Sequence, residues 1–281
     1  MKFDYKKYNE EKYEQDFWTI NRSKYKWFSN YVRLKIFKKW CLSVKNKGAF
    51  LDVGGGVGNW AFHFLDYFEK VIVLDISKKA LEKIPEKEII KKQGSADKIP
   101  LKSKTVDCIL LADVLEHIHP SDLNKVMKEL KRVLKDNGRI VIQTSLYGYG
   151  IGLVFKRVFK KMNGRLMKSE MKEGHLNRLK FNEIKSLAKK NGLIIEDYLF
   201  YSIIFQQLTD FIKDLTAKAM SKESKHIRKG QELKDRLKKV EKPSKVFRMI
   251  FGTFSRISYL DIILFGKILP GQGIFLKLRK N

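Results

Sequence analysis

The chain has 281 residues, with 59 Lys+Arg against 31 Asp+Glu and a net charge of +28. That length supports one α/β domain with embellishments. Two cysteines, Cys41 and Cys108, exclude a disulfide framework, and neither stands in a C-x-x-C metal or redox pattern, which fits a reducing cytoplasm. The charged, aromatic stretch Met1–Glu14 lacks the apolar core of a secretory signal, and no uncharged run reaches the ~18 residues of a spanning helix. The expected location is therefore cytoplasmic, with peripheral attachment to the inner membrane face as the elaborated form.

Residues 1–47 place Tyr5, Tyr8, Tyr13, Phe17 and Trp18, then Trp27, Phe28, Tyr31, Leu34, Phe37 and Trp40, among lysines at roughly helical spacing. They predict an N-terminal helical arm, read either as a packing layer for a sheet or as a helix closing over the substrate. Phe50, Leu51 and Val53 then form a short apolar run that ends in Gly54, Gly56 and Gly58, and Trp60, Ala61, Phe64, Leu65 and Phe68 recur at helical spacing. A strand, a tight turn and a helix are predicted in that order. Glycines permit positive φ and close approach to a ligand, and a new helix offers unpaired N–H groups. A dinucleotide fingerprint fails here, because Asn59 occupies the place of the third glycine. What stands is Asp52-x-Gly54-x-Gly56-x-Gly58.

Val71-Ile72-Val73-Leu74 reads as a second buried strand, ended by Asp75, which lies 23 residues after Asp52. A carboxylate at that strand end can accept both hydroxyls of a ribose. A helix through Ala80 and Leu81 leads to a third strand around Ile89-Ile90 and then to Gly94-Ser95-Ala96-Asp97. Val106-Asp107-Cys108-Ile109-Leu110-Leu111-Ala112 is a fourth strand, running into Asp113-Val114-Leu115-Glu116-His117. An amphipathic helix spans Leu123 to Leu134, Asp136-Asn137-Gly138 is its turn, and Arg139 to Thr144 is strand five. After Gly174-His175-Leu176 come a helix over Phe181–Lys190, a turn at Asn191-Gly192 and a strand over Leu193–Leu199. Gly273–Leu278 supplies the final strand.

The acidic, glycine-spaced turn resembles motif I of the class I S-adenosylmethionine (SAM) dependent methyltransferases. The stretch after Val106 resembles the fourth-strand signature of their small-molecule, methyltransferase-11-like branch. The resemblance covers residues 48–145 continuously and weakens over 174–201. It implies SAM as cofactor, with Asp52, Gly54, Gly56 and Gly58 cradling the methionine part, Asp75 and Ile76 at the ribose and Asp97 against the adenine amine. Ala96 lends backbone contacts, and Ala112 closes the cofactor-binding set. The implied fold is a Rossmann-like α/β architecture: a seven-stranded, mostly parallel sheet with helices on both faces, an antiparallel last strand, and helical insertions over the active-site edge. The implied organisation is an arm (1–47), a SAM-binding core (48–145), a basic lid (146–180), a core helix and strand (181–201), a helical cap (202–272) and the final strand (273–281).

Charge follows these divisions. The core carries +2, whereas the arm carries +8, the lid +7 and the cap +8. In the lid, Ile151, Val154, Phe155, Val158, Phe159 and Met162 share a helical face opposite Lys156, Arg157, Lys160 and Lys161, the composition of an interfacial helix. The cap ends in the apolar span Val246–Leu269, which Arg248, Arg256, Asp261 and Lys267 interrupt, so it lies on a bilayer more readily than it crosses one.

Methyl transfer from a sulfonium needs alignment and exclusion of water, and needs a base only where the acceptor must lose a proton early. His117 and His175 are the catalytic candidates because histidine titrates near working pH; the competing reading is that they only shape the pocket. His63 reads as helix packing and His119 as part of a turn. Asp113-x-x-Glu116-His117 also looks like the metal-binding triplet of ubiquinone-pathway O-methyltransferases, with Asp in the first Glu position, but no metal is assigned. For the acceptor, a lipid, prenylated quinone or other membrane-linked small molecule fits basic charge interleaved with apolar faces. RNA is the alternative, and it uses the charge alone. A binding protein with a relic cofactor fold is disfavoured by the joint presence of Asp52, Asp75 and Asp97.

Overall fold

In the computed structural model, residues 28–146, 176–177, 179–201, 256–257 and 259–281 are described. Residues 1–27, most of the predicted lid and cap, both proposed interfacial faces ahead of residue 256, and His175 lie outside them.

Seven strands form one sheet in the order β3-β2-β1-β4-β5-β7-β6. In chain order the elements are α1 (Phe28–Cys41), β1 (Ala49–Val53), a 3₁₀ turn (Ala61–Phe64), β2 (Lys70–Asp75), α2 (Lys78–Glu82) and β3 (Ile89–Gln93). There follow β4 (Val106–Ala112), a second 3₁₀ turn (Leu115–His117), α3 (Leu123–Val133), β5 (Leu134–Ser145), α4 (Phe181–Lys190), β6 (Leu193–Tyr201) and β7 (Gly273–Lys280). The first five strands pair in parallel. β7 is antiparallel to both β5 and β6, so it slots between two strands that point the same way. The expected Rossmann-like sheet with its antiparallel last strand is observed.

Strand periodicity decides which face each side chain takes. Leu51 and Val53, Ile109 and Leu111, Ile140 and Ile142, and Leu276 and Leu278 enter one apolar cluster. Their intervening neighbours Phe50, Cys108 and Leu110, Val141 and Phe275 enter the other. Being buried on both faces, these strands read as continuous apolar runs, not as alternating ones. Against the first face lie α3, through Val126, Met127, Leu130 and Val133, and α4, through Ile184 and Ala188. Against the second lie Val32, Ile36, Phe37 and Trp40 of α1, Phe64 and Phe68 after the glycine turn, and Ile262 of a helix at residues 259–265. Of the two readings of the arm, α1 fulfils the packing one: Phe37 and Trp40 meet Phe275 edge-on at 5.7 and 6.5 Å between ring centres.

Two local expectations are corrected. The helix foreseen after the glycine turn is a single 3₁₀ turn within a run of turns, with bonds alternating between three-residue (His63 N–H to Trp60) and four-residue (Phe62 N–H to Gly58) spacing. Asn and aromatic residues are weak helix formers. Ring packing sets the path instead, since Phe64 stacks on Phe50 at 4.3 Å and Phe68 lies 5.3 Å from the same ring. The axial dipole of a full helix is therefore not supplied there. In addition, Asp136-Asn137-Gly138 is not a turn before strand five but a bulge inside it: the register with β4 jumps from Val106–Leu134 to Cys108–Arg139.

The topology gathers the chain's exits at one level. Ser145 at the end of β5 and Tyr201 at the end of β6 both register with Gly273 at the start of β7. The segments that follow Ser145 and Tyr201, expected from the sequence as lid and cap, therefore leave from the carboxyl ends of parallel strands, the edge where open α/β sheets bind ligands. Among the described residues no helix is long and apolar enough to cross a membrane.

Phe275 is fully buried and its ring touches Phe37, Trp40 and Tyr201. Phe275→Ala should lower unfolding free energy by about 3–5 kcal/mol in urea titration. A loss under 1 kcal/mol would show that α1 is not seated on β7.

Candidate active site

Asp52, near the end of β1, is 1% exposed, and its Oδ2 has no hydrogen-bond partner in the structure. Burial pushes its carboxyl up to about 8; the Ala61 N–H offsets part of that effect, and nearby Asp75 adds to it. The turn that follows is hooked over β2, where Gly54 and Gly55 donate to the Leu74 carbonyl at 2.7 and 3.2 Å. Gly54, Gly56 and Gly58 all take left-handed φ, at 69°, 55° and 72°. Gly55, which the motif leaves open, is required by contact: a Cβ there would sit 2.7 Å from the Asp52 carboxyl carbon and from Oδ2.

Asp75 closes the next position along the edge. One carboxylate oxygen accepts the Gly56 N–H and the other the Ser77 N–H, each at 2.8 Å. Burial raises this carboxyl, while the backbone donors hold it down. Ser77 also caps α2, its Oγ accepting from Ala80 N–H at 3.2 Å. Ile76, half-buried, sits between these two residues. The Gly94 N–H donates to the Asp75 carbonyl at 3.0 Å and so ties the third loop to the second. In that loop Ala96 is buried, and Asp97 lies in the turn bridged by Ser95 and Lys98. Asp52, the glycines, Asp75, Ile76, Ala96 and Asp97 thus come together on one sheet edge, with Ala112 at the end of neighbouring β4.

A second polar cluster stands beside this one. Arg33 of α1 donates through Nη2 to both Asp113 and the Gln143 side-chain oxygen. Its guanidinium carbon lies 5.0 Å from the Trp60 ring centre and 6.0 Å from that of Phe37. Burial alone would lower the Arg33 pKa, but the charge and hydrogen bond of Asp113 carry it above its usual value. The Gln143 amide donates to Asp113 Oδ1 at 2.8 Å and to the Tyr201 hydroxyl at 2.5 Å. Because that phenol accepts from Gln143, its own proton is directed elsewhere. Burial and Asp113 raise the Tyr201 pKa, so it remains a donor. Asp113 itself has a φ of 56°.

The carboxylates of Asp113-x-x-Glu116-His117 are taken up by different partners. Asp113 serves Arg33, whereas Glu116 is buried and accepts from Thr144 Oγ1 at 2.8 Å and Ser145 N–H at 3.3 Å. Burial and Asp113 push Glu116 up to about 7. No three His, Cys, Asp or Glu residues converge on a common point among the described residues. His117 is half-buried in the 3₁₀ turn and its backbone N–H donates to the Val114 carbonyl at 2.9 Å. His63 meets Phe62 edge-on at 5.4 Å, and His119 Nδ1 bonds Ser121 Oγ at 2.8 Å, as expected of a packing and a turn histidine.

Sequence reasoning missed Gly55, Arg33, Gln143 and Tyr201. Gly55 sits inside an obvious glycine run but off the motif's spacing. Gln143 and Tyr201 end strands that were read only for apolarity, and Arg33 stands among the basic residues of an aromatic helix.

The strand order and the acidic, glycine-lined carboxyl edge define a Rossmann-like methyltransferase fold. A family model described as "Methyltransferase domain" matches residues 51–142. A demethylmenaquinone methyltransferase of Lactococcus lactis is 31% identical over 189 residues, 59% of this chain and 73% of the relative. An uncharacterized protein of Methanocaldococcus jannaschii is 33% identical over 127 residues, 41% of this chain. That match spans about half of the relative's length, 54%. Among solved structures, geranyl diphosphate C-methyltransferase from Streptomyces coelicolor superimposes with a TM-score of 0.53 at 12% identity, covering 90% of this chain and 78% of that one, a likeness of fold. The chain belongs to the class I SAM-dependent methyltransferase superfamily, in its methyltransferase-11-like branch.

Asp52 generates a pH prediction. Its folded pKa, about 8, lies above the unfolded value of 3.8, so between those limits the native state holds a proton that the unfolded state has released. Stability conferred by that proton is lost as pH rises through the window. Asp52→Asn should remove this contribution: by differential scanning fluorimetry, the melting midpoint of the variant should fall less than that of the native chain between pH 5 and pH 8. Parallel curves would place Asp52 in a solvated setting. Gly55→Ala should cost roughly 1–3 kcal/mol by overpacking against the same carboxylate.

Proposed function

We propose that the chain is a SAM-dependent methyltransferase acting on a small-molecule acceptor that is lipid- or membrane-linked, in the manner of a prenylated quinone. The observation that carries the cofactor half is the unpartnered, buried Asp52 oxygen lying against a turn of left-handed glycines. A buried carboxylate without a partner is costly unless a cation meets it. The ammonium of a methionine moiety supplies that cation, and only glycines let a ligand approach the turn so closely. In this reading Asp75 receives ribose hydroxyls on the lone pairs that its backbone donors leave open. Ile76 lines the same position, Asp97 takes the adenine amine, and Ala96 and Ala112 offer backbone and a small side chain. When bound, SAM supplies an electrophilic methyl on a sulfonium.

The remaining residues position the acceptor. Arg33, Asp113 and Gln143 hold the Tyr201 phenol as a hydrogen-bond donor, suited to an acceptor oxygen. Clasping α1 to the ends of β4 and β5 keeps water from the methyl's path. His117 and His175 are the proposed proton acceptors for a substrate that must lose one. The membrane-linked acceptor draws support from the Lactococcus relative, named for demethylmenaquinone, and from the basic, apolar composition of residues 146–180 and 202–272. An RNA acceptor draws support from the charge alone.

Calorimetry with SAM tests the cofactor half. Asp75→Ala should weaken binding by roughly 2–3 kcal/mol, the worth of charge-assisted hydrogen bonds to the ribose. Because Asp52 is protonated at neutral pH without a cation beside it, binding at pH 7 should release a proton, and Asp52→Asn should abolish that release. Unchanged affinity in the Asp75 variant, or tighter binding of a nicotinamide dinucleotide, would overturn the assignment. Labelled SAM offered with cell lipid extract and with total RNA decides the acceptor, and label in RNA alone would establish the alternative.

A further inference from the structure

Seven large hydrophobic side chains are exposed among the described residues, and five of them, Leu260, Ile263, Leu264, Phe265 and Ile268, fall within nine consecutive positions. Leu264 and Ile268 are the most open, at 60% and 74%. They lie on the outside of a firmly seated element. Ile262, 3% exposed, is packed into the α1 face of the core. The Gly266 carbonyl accepts the Phe200 N–H at 2.8 Å, one residue before Tyr201. A Cβ on Gly266 would come within 2.9 Å of the Phe200 carbonyl oxygen, so the ridge lies directly on β6. Concentrated aliphatic exposure on a rigid seat marks an interaction surface.

Charge and composition indicate what covers it. Residues 262–281 contain no Asp or Glu, and the chain as a whole carries +28. Asp261, within the ridge, is buried, Lys267 is partly exposed and ion-paired with Asp197 of β6, and the Lys35 ammonium of α1 is 4.7 Å from the Tyr259 ring centre at the ridge's root. Protein-binding hot spots favour Trp, Tyr and Arg. Aliphatic side chains rimmed by lysine instead suit the headgroup layer of an anionic membrane, where the apolar groups insert and the cations meet lipid phosphates.

We propose that residues 260–268 are a membrane-docking ridge that inserts into the headgroup layer of an anionic bilayer and brings the Tyr201 edge of the sheet to a lipid-phase acceptor. The docking stands on the ridge itself; the delivery of acceptor to Tyr201 rests on the methyltransferase reading above.

Flotation of the full chain with phosphatidylglycerol–phosphatidylcholine vesicles tests the docking, with SAM calorimetry run on the same samples. The native chain should float with anionic vesicles at low salt and much less with pure phosphatidylcholine. The double variant Leu264→Ser, Ile268→Ser changes only exposed side chains and keeps every charge. Its vesicle partitioning should fall at least tenfold while SAM affinity, which reports the fold, stays within twofold. A native chain that binds SAM but remains with the supernatant, or a double variant that floats like the native chain, overturns the ridge. So does a concentration-dependent dimer that the double variant abolishes, which would give the ridge to a second copy. A chain that floats as expected but binds no SAM leaves the ridge standing and removes the methyltransferase reading.

Discussion

An ionisable carboxylate sealed into the end of a parallel strand is the constraint to which the rest of the cofactor edge is fitted. Asp52 leaves no room for a side chain at Gly55 and forces the turn over the end of β2. Desolvating such a group is unfavourable in isolation. The structure meets only part of the demand, through the Ala61 N–H, and leaves one oxygen unmet. That asymmetry is what the proposed role of Asp52 in holding a cationic ligand rests on, since buried polar groups ordinarily find a partner. Asp75 illustrates the contrast: with similar burial, both of its oxygens have backbone donors.

The second organising contact comes from outside the core. Arg33 reaches from α1 to Asp113 and Gln143, so a helix that packs as a layer on the sheet is also tied to the carboxyl ends of β4 and β5. Its guanidinium lies over Trp60, which belongs to the glycine turn. One cation therefore couples the arm, the cofactor turn and the ends of β4 and β5.

Much of this was legible in the sequence, for identifiable reasons. Strands buried on both faces leave unbroken apolar runs, and Val71–Leu74 and Cys108–Leu111 could hardly be anything else. The carboxylates Asp52 and Asp75 were readable because each stands at or near the end of such a run, whereas Asp97, in a loop beyond β3, was legible only through the family resemblance. What escaped depends on distance in three dimensions. Arg33 lies 80 positions from Asp113, and Tyr201 lies 58 from Gln143; no local pattern announces either pairing. The 3₁₀ turn after Gly58 escaped because Trp60, Phe64 and Phe68 have helical spacing, yet Phe64 and Phe68 pack against Phe50 and Trp60 against Phe37, which overrides it. The bulge at Asp136–Gly138 imitates an ordinary turn residue for residue and is revealed only by its pairing with β4.

The slotting of β7 between β5 and β6 has a consequence for synthesis. A nascent chain that has emitted β6 must extend through 71 further residues before Gly273 appears. At about 5–20 residues per second this leaves roughly 4–14 s in which β5 presents an unpaired inner edge and β6 has no neighbour. Exposed apolar edges of that kind template wrong pairings between chains. Whatever shields the gap on the ribosome, whether a chaperone or the interim docking of α4 on α3, bears on how much of this chain reaches its finished sheet.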